Sequence, residues 1–255
     1  MQTFKDHFSS HAAGYAAYRP TYPMTVVNYL ATLAPQMGLA LDCGCGTGQL
    51  SVLLAERFAR VVATDASAQQ IANAHPHERV EYRTAPAEQS GLDAATVDLI
   101  TAAQAAHWFD LDAFYDEVRR VAKGRAVLAL ITYGVLHLNE SEPERVVQHF
   151  YSDVLGGYWP PERRHVEEGY RSLSFPFEEI QSVPPFAIET SWSLADLIGY
   201  ADTWSAVRAA ERSLGREPIE SFRSELARAW GDPLRRAVIR WPLSLRVGRI
   251  DRASP

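Results

Sequence analysis

Cysteine is almost absent from this chain of 255 residues: there are two, Cys43 and Cys45. That count excludes a disulfide framework. A zinc site would need more soft ligands beside them, and His75 and His77 stand on a separate polar stretch, so no metal is expected. Long apolar runs are missing as well, and no stretch has the length needed to cross a bilayer. The opening "MQTFKDHFSS" carries no apolar h-region, so a secretory leader is not expected and the expected location is cytoplasmic. A basic surplus is also lacking, the formal net charge being −6. Affinity for nucleic acid comes largely from phosphate contacts, so neither nucleic acid nor a membrane is an expected partner. Internal repeats and low-complexity tracts are absent too.

What remains is an ordinary globular composition, 47% hydrophobic and 22% charged. The length suits one large α/β domain carrying a cap. From residue 38 to 134, strand and helix patterns alternate. "LALDCG" is a short apolar run, after which Leu50, Leu53, Leu54 and Phe58 recur at helical spacing. "RVVATD" reads as a buried strand, and "SAQQIANA" as a helix opened by Ser67 as N-cap. "RVEYRTA" and "VDLITAA" are further strands. Leu111, Phe114, Tyr115, Val118 and Val121 mark one helical face, and "RAVLALITYG" is a strongly apolar strand. Five such alternations imply a parallel sheet covered on both faces. Ligands of such sheets bind at the carboxyl ends of the strands.

After Gly134 the character changes. "GGYWPPERRHVEEGYRSLSFPF" reads as an irregular cap segment. "SLADLIGYADTWSAVRAAERSL" reads as one helix weakened at Gly199, and "PIESFRSELARAW" as another with Pro218 in its first turn. "FAIETSW" and "WPLSLRVGRI" are two late strands that would form an antiparallel edge.

The stretch "LDCGCGTGQL" decides the class of ligand. A strand leading through a glycine-rich turn into a helix aims backbone N–H groups at a helix N-terminus. The P-loop needs a lysine after its last glycine, and Gly48 is followed by Gln49. The nicotinamide fingerprint G-x-G-x-x-G would put its third glycine at Gln49 or Ser51, and neither is glycine. Asp42, ahead of the first glycine, would repel a pyrophosphate and suits an ammonium group. Asp65 ends the next strand about 20 residues on, where an acid accepts from ribose hydroxyls. A ligand with a ribose, a cationic amino-acid part and no phosphate is S-adenosylmethionine.

The ordered segments "ALDCGCGTGQLS", "VVATDAS", "YRTAPAEQSGLDAATVDLITAAQAAHWFD" and "FYDEVRRVAKGRAVLALITYG" resemble the motifs of class I S-adenosylmethionine-dependent methyltransferases of the methyltransferase type 11 domain. The flanks "FSSHAAGYAAYRPTYP" and "GYADTWSAV…WPLSLRVGRI" resemble the trans-aconitate methyltransferase-like branch. The resemblance implies a Rossmann-like fold: a mostly parallel seven-stranded sheet with an antiparallel edge strand, helices on both faces and a helical cap. It implies a lid segment over 1–35, a cofactor-binding core over 36–135, and cap insertion, C-terminal helices and edge strands over 136–255. Asp42, Gly44 and Gly46 would line the methionine part, with Cys45 between them in the cofactor-binding set. Asp65 would take the ribose, Ala66 and Ser67 would border the adenine, and Ala87 and Glu88 would hold its edge. Gln104 and Ala105 would lie beneath the methionine moiety. The product would be S-adenosylhomocysteine. "VAKGRAV" departs from the common "LKPGG" form, at a turn away from the cofactor.

On the acceptor side, His107 and Trp108 in "AAHWFD" are the catalytic candidates, His107 as general base and Trp108 as an aromatic wall. Tyr15 is expected to touch substrate, Tyr18 and Arg19 the cofactor, Arg19 through the planar fork that suits a carboxylate. Tyr133, Trp159 and Arg164 are further substrate-binding candidates. The acceptor is expected to be a small molecule, with a carboxylate as one form. A macromolecular acceptor and a non-catalytic cofactor-binding protein are the rival readings. The Asn/Asp-Pro-Pro-aromatic motif of DNA amino-methyltransferases is not found after the fourth strand, where "TAAQAAHW" stands.

Overall fold

A computed structural model describes residues 20–251 of the chain. The expected lid residues Tyr15, Tyr18 and Arg19 lie outside the described residues. Four apolar runs and the alternating "RVEYRTA" become the parallel strands β1 (Leu39–Cys43), β2 (Arg60–Asp65), β3 (Val80–Thr84), β4 (Val97–Ala103) and β5 (Ala122–Tyr133). Their order is β3-β2-β1-β4-β5. Side chains alternate across the sheet, as a period of two requires. On β5, Val127, Ala129, Ile131 and Tyr133 enter one core, and Ala126, Leu128 and Leu130 enter the other. Both faces are therefore covered, which is why these runs carry so little polarity.

The chain builds outward from β1 to β2 and β3, then returns to β4 on the other side of β1. Strand order reverses between β1 and β4, and the crevice that opens there at the carboxyl ends is where open α/β sheets take their ligands. The helices follow their caps. Ser67 Oγ accepts from Gln70 N–H at 3.3 Å and opens α3 (Ala68–Ala72), which follows α1 (Met24–Leu33) and α2 (Gln49–Leu54). Asp110 caps α4 (Leu111–Val121), whose Phe114, Tyr115, Val118 and Val121 are buried. Such caps contribute about 1 kcal/mol each.

The antiparallel part of the sheet is larger than the two late strands alone. The long strand β9 (Ala237–Arg249) pairs with β5 and then with β6 (His137–Leu138) along one side. Along its other side it pairs with β8 (Phe186–Trp192) and β7 (Glu178–Glu179). The unbroken path has the seven strands expected, and β7 and β8 bring the sheet to nine among the described residues. Two-residue strands such as β6 and β7 are too short to leave a periodic signal.

The cap holds α5 (Ser141–His149), a single π turn at Phe150–Val154, and α6 (Arg163–Glu167). The expected long helix is two, α7 (Leu194–Asp202) and α8 (Ser205–Leu214), followed by α9 (Glu217–Trp230). The break falls at Trp204, not at Gly199. Trp204 takes extended backbone and turns its ring into the core, 5.5 Å from Tyr151 and 5.8 Å from Tyr200. Burying that indole outweighs one continued turn of helix. No helix among the described residues is long and apolar enough to cross a membrane.

Candidate active site

The glycine loop leaves β1 at the switch point. Gly44 and Gly46 both have positive φ, +67° and +57°. A Cβ on Gly44 would stand 2.5 Å from the Ala105 Cβ and 3.2 Å from the Phe109 ring, so glycine lets the loop lie directly against the segment after β4. A Cβ on Gly46 would meet only Gln70 Oε1 within contact range, at 3.9 Å. The space over Gly46 is thus open, and its backbone amide is held from the next strand. Gly46 N–H donates to Asp65 Oδ2 at 2.9 Å, and Ser67 N–H donates to Asp65 Oδ1 at 2.8 Å. Cys45 lies between the two glycines, its N–H on the Thr64 carbonyl at 3.0 Å. Burial pushes its thiol well up, so it stays protonated.

Asp42 is the last but one residue of β1, beneath this loop, and is 1% exposed. Its Oδ2 accepts from the Ser51 hydroxyl at 2.6 Å and its Oδ1 from the Thr101 hydroxyl at 2.8 Å. The carboxylate thereby ties β1 to β4 and to α2. Burial raises its pKa to about 6, against the lowering effect of the two hydroxyls. Around the second acid, Ala66 is exposed and Ser67 caps α3. Ala87 is buried after β3, and Glu88 beside it accepts the Asp110 N–H at 2.9 Å, joining that loop to the start of α4.

At the end of β4, Gln104 has φ +55°, a left-handed conformation rare for a residue with a Cβ. Both ends of its amide are engaged: Nε2 donates to the Tyr133 carbonyl at 2.9 Å, and Oε1 accepts from the Thr132 hydroxyl at 2.9 Å. Ala105 is buried against Gly44. His107 and Trp108 lie in a 3₁₀ turn over Ala106–Trp108, their rings 4.8 Å apart. His107 Nδ1 lies 2.8 Å from the Tyr170 hydroxyl. Burial, and after it the charges of Arg163 and His165, lower the His107 pKa to about 3. Its ring is neutral at ordinary pH. Tyr170 is fully buried and also has positive φ, +62°. Left-handed backbone at Gln104 and Tyr170 costs of order 1–3 kcal/mol each and persists only where surrounding structure enforces it.

A cavity of about 820 Å³ adjoins the end of β5. Gly134, Tyr151, Trp159, Arg163, Glu167 and Ser244 are among its walls. Tyr133, just before Gly134, is nearly buried, its ring 6.3 Å from Tyr22. Trp159 donates its indole N–H to the Tyr151 carbonyl at 3.1 Å. Arg164 stands on the rim, 77% exposed and paired with Glu168 at 2.7 Å. The guanidinium held inside is that of Arg163, its carbon 5.0 Å from the Trp159 ring centre and 5.6 Å from that of Tyr151.

The expected site residues of the core thus gather at the carboxyl ends of β1, β2, β3 and β4, while Trp159 and Arg164 belong to the cavity beside β5. Ser51, Thr101, Thr132, Tyr170, Tyr151 and Arg163 were not singled out by sequence. Ser51 and Thr101 face Asp42 from positions with no motif of their own. Tyr170 sits in the irregular segment, where no periodicity marks a buried residue.

A family model described as a methyltransferase domain matches residues 41–130. A Dictyostelium discoideum protein named as a methyltransferase is 33% identical over 230 residues, 89% of this chain and 87% of that protein. A solved structure from Anaeromyxobacter dehalogenans, described as a type II methyltransferase, is 48% identical with a TM-score of 0.88, covering 92% of this chain and 99% of its own. One from Anabaena variabilis, described as a methyltransferase from an antibiotic biosynthesis pathway, is 19% identical with a TM-score of 0.52, covering 89% of this chain and 99% of its own, and shares the fold alone.

Proposed function

The chain belongs to the class I S-adenosylmethionine-dependent methyltransferases, and we propose that it methylates a small-molecule acceptor bound in the cavity beside β5, in the cytoplasm. The single observation that carries the cofactor assignment is the Gly46–Asp65 hydrogen bond under an open backbone cradle.

The residues present fit the group. A carboxylate offers about four acceptor positions, and Gly46 and Ser67 occupy two of those on Asp65. Two hydroxyls of a ribose suit the remaining two. The acids Asp42 and Asp65 give the crevice a negative field that suits a cationic ligand and opposes a pyrophosphate. Gly44, Cys45 and Gly46 would line the methionine part, with Asp42 bracing them from beneath. Ala66, Ser67, Ala87 and Glu88 would border the base, and Gln104 and Ala105 would support the methionine part from the β4 side. When bound, S-adenosylmethionine supplies an electrophilic methyl group on its sulfonium.

The chain's own residues then align the acceptor and exclude water. Trp108 would form an aromatic wall beside His107. Tyr133 and Trp159 would hold the acceptor from the β5 side, and Arg164 from the rim. A carboxylate acceptor, as in the trans-aconitate-like branch, needs no base, so alignment and desolvation would carry the rate. A hydroxyl acceptor would need a base, and His107, whose pKa burial holds near 3, is a weak one, which favours an acceptor that is already ionised.

A labelled-methyl transfer screen over small acids, amines and phenols tests this reading. Labelling of a small acceptor is expected. Labelling of protein or RNA alone would favour a macromolecular acceptor, and cofactor binding with no turnover would favour a binding protein.

A further inference from the structure

Resting on the methyl-transfer reading above, we infer that Arg163 is the specificity-determining residue of the acceptor cavity, and that it holds a planar anionic group on an acceptor with a flat apolar body.

Arg163 is prepared for one partner. Its Nε–H donates to the Tyr151 hydroxyl at 2.8 Å, and that hydroxyl donates onward to Glu167 Oε1 at 2.7 Å. The rings of Trp159 and Tyr151 lie against the guanidinium at 5.0 and 5.6 Å. One edge of the group is therefore engaged, and both rings lie to one side of it, 4.7 Å from each other. The remaining edge carries the two Nη groups, which donate no hydrogen bond among the described residues. That edge is the fork that matches a carboxylate or phosphate with two parallel N–H···O bonds.

The other charges on the cavity wall are already matched. Arg164 meets Glu168 at 2.7 Å, and His137 meets Glu144 at 2.9 Å. Glu167 approaches Arg163 only to 3.8 Å, with its Oε1 shared by Tyr151. Arg163 is thus the wall's least satisfied cation, and its side chain is 22% exposed. Trp159, Pro160 and Pro161 give the same wall flat apolar surfaces. A volume of about 820 Å³ is in the range of small-molecule sites. Gly134 lines the cavity one residue past the Tyr133 carbonyl that Gln104 fixes, and Arg163 is near enough to His107 for its charge to act on that ring, which puts the anion on the crevice side where methyl transfer is proposed.

The test uses the full chain saturated with S-adenosylhomocysteine. Binding of benzoate, 3-phenylpropionate and phenyl phosphate is measured by ligand-observed NMR, with benzamide and 3-phenylpropionamide as neutral counterparts. At least one anion should bind ten-fold or more tightly than the amides, and the pattern separates carboxylate from phosphate. Arg163→Met should weaken that anion ten-fold or more and leave the amides and S-adenosylhomocysteine unchanged. Arg163→Lys, which keeps the charge and loses the fork, should fall between. Equal binding of anions and amides to the unsubstituted protein, or full anion binding by Arg163→Met, would overturn the assignment. Failure of S-adenosylhomocysteine to bind would instead count against the methyl-transfer reading itself.

Discussion

Gly46 donates its backbone N–H to the Asp65 carboxylate across 2.9 Å, so the loop after β1 takes its shape from the end of β2. The same carboxylate receives the Ser67 N–H, which fixes the start of α3. One acid thus organises two loops of the crevice and keeps acceptor capacity for a ligand.

The two glycines of that loop should respond differently to alanine. Gly44→Ala forces a Cβ to 2.5 Å from Ala105 in a left-handed backbone, and should cost about 3 kcal/mol of stability or more. Gly46→Ala meets no protein atom closer than 3.9 Å and should cost only about 1 kcal/mol. It should nevertheless weaken S-adenosylhomocysteine binding ten-fold or more, because the methyl group fills the cradle. Urea unfolding and calorimetry measure the two effects. Unchanged affinity in Gly46→Ala would take the loop out of the site.

Asp42 makes stability depend on pH. Its folded pKa is raised from 3.8 to about 6 by burial, so the folded state binds this proton more tightly than the unfolded chain does. Its contribution is complete below pH 3.8 and is lost as pH rises through 6. Asp42→Asn removes the ionisation and can still meet Ser51 and Thr101 with one acceptor and one donor group. The unsubstituted protein should lose about 3 kcal/mol relative to Asp42→Asn between acid and mildly alkaline pH. Unfolding curves of both proteins at pH 4.5 and pH 8 check the sign, and parallel behaviour would contradict it.

His107 should remain neutral across the working range of pH. Its pKa is lowered from 6.5 to about 3, first by burial and then by Arg163 and His165. The associated stability is complete above pH 6.5 and is lost as pH falls through 3. The ring resonances of His107 should therefore not titrate between pH 8 and 5. Tyr170→Phe leaves Nδ1 without the partner now at 2.8 Å and should cost about 1–3 kcal/mol. A His107 midpoint near 6.5 in the unsubstituted protein would refute the buried arrangement.

The parallel half of the fold was legible because β1, β2, β4 and β5 are largely buried, which leaves continuous apolar runs with turn residues between them, while the edge strand β3 shows alternation instead. Asp42, the glycines and Asp65 could be placed because strand ends in such sheets are where ligands meet backbone. Ser67 as a cap followed from local hydrogen-bonding chemistry. The break at Trp204 was not legible, since it depends on rings from the π turn and α7 that are distant in sequence. Arg163 and Tyr170 were hidden for the same reason. Each gains its meaning from a partner on another element, Tyr151 for one, Thr132 and His107 for the other. Arg164, adjacent to Arg163 and equally basic, turns outward to Glu168, a choice made by the short helix α6 and not by composition.

Calorimetric titration of the protein and of Asp65→Ala with S-adenosylhomocysteine bears most directly on the crevice as the cofactor site. Binding to the unsubstituted protein is expected, weakened in Asp65→Ala by about 1–3 kcal/mol, the cost of lost hydrogen bonds at a buried polar contact. Binding of equal strength in the two proteins, or none in either, would contradict it.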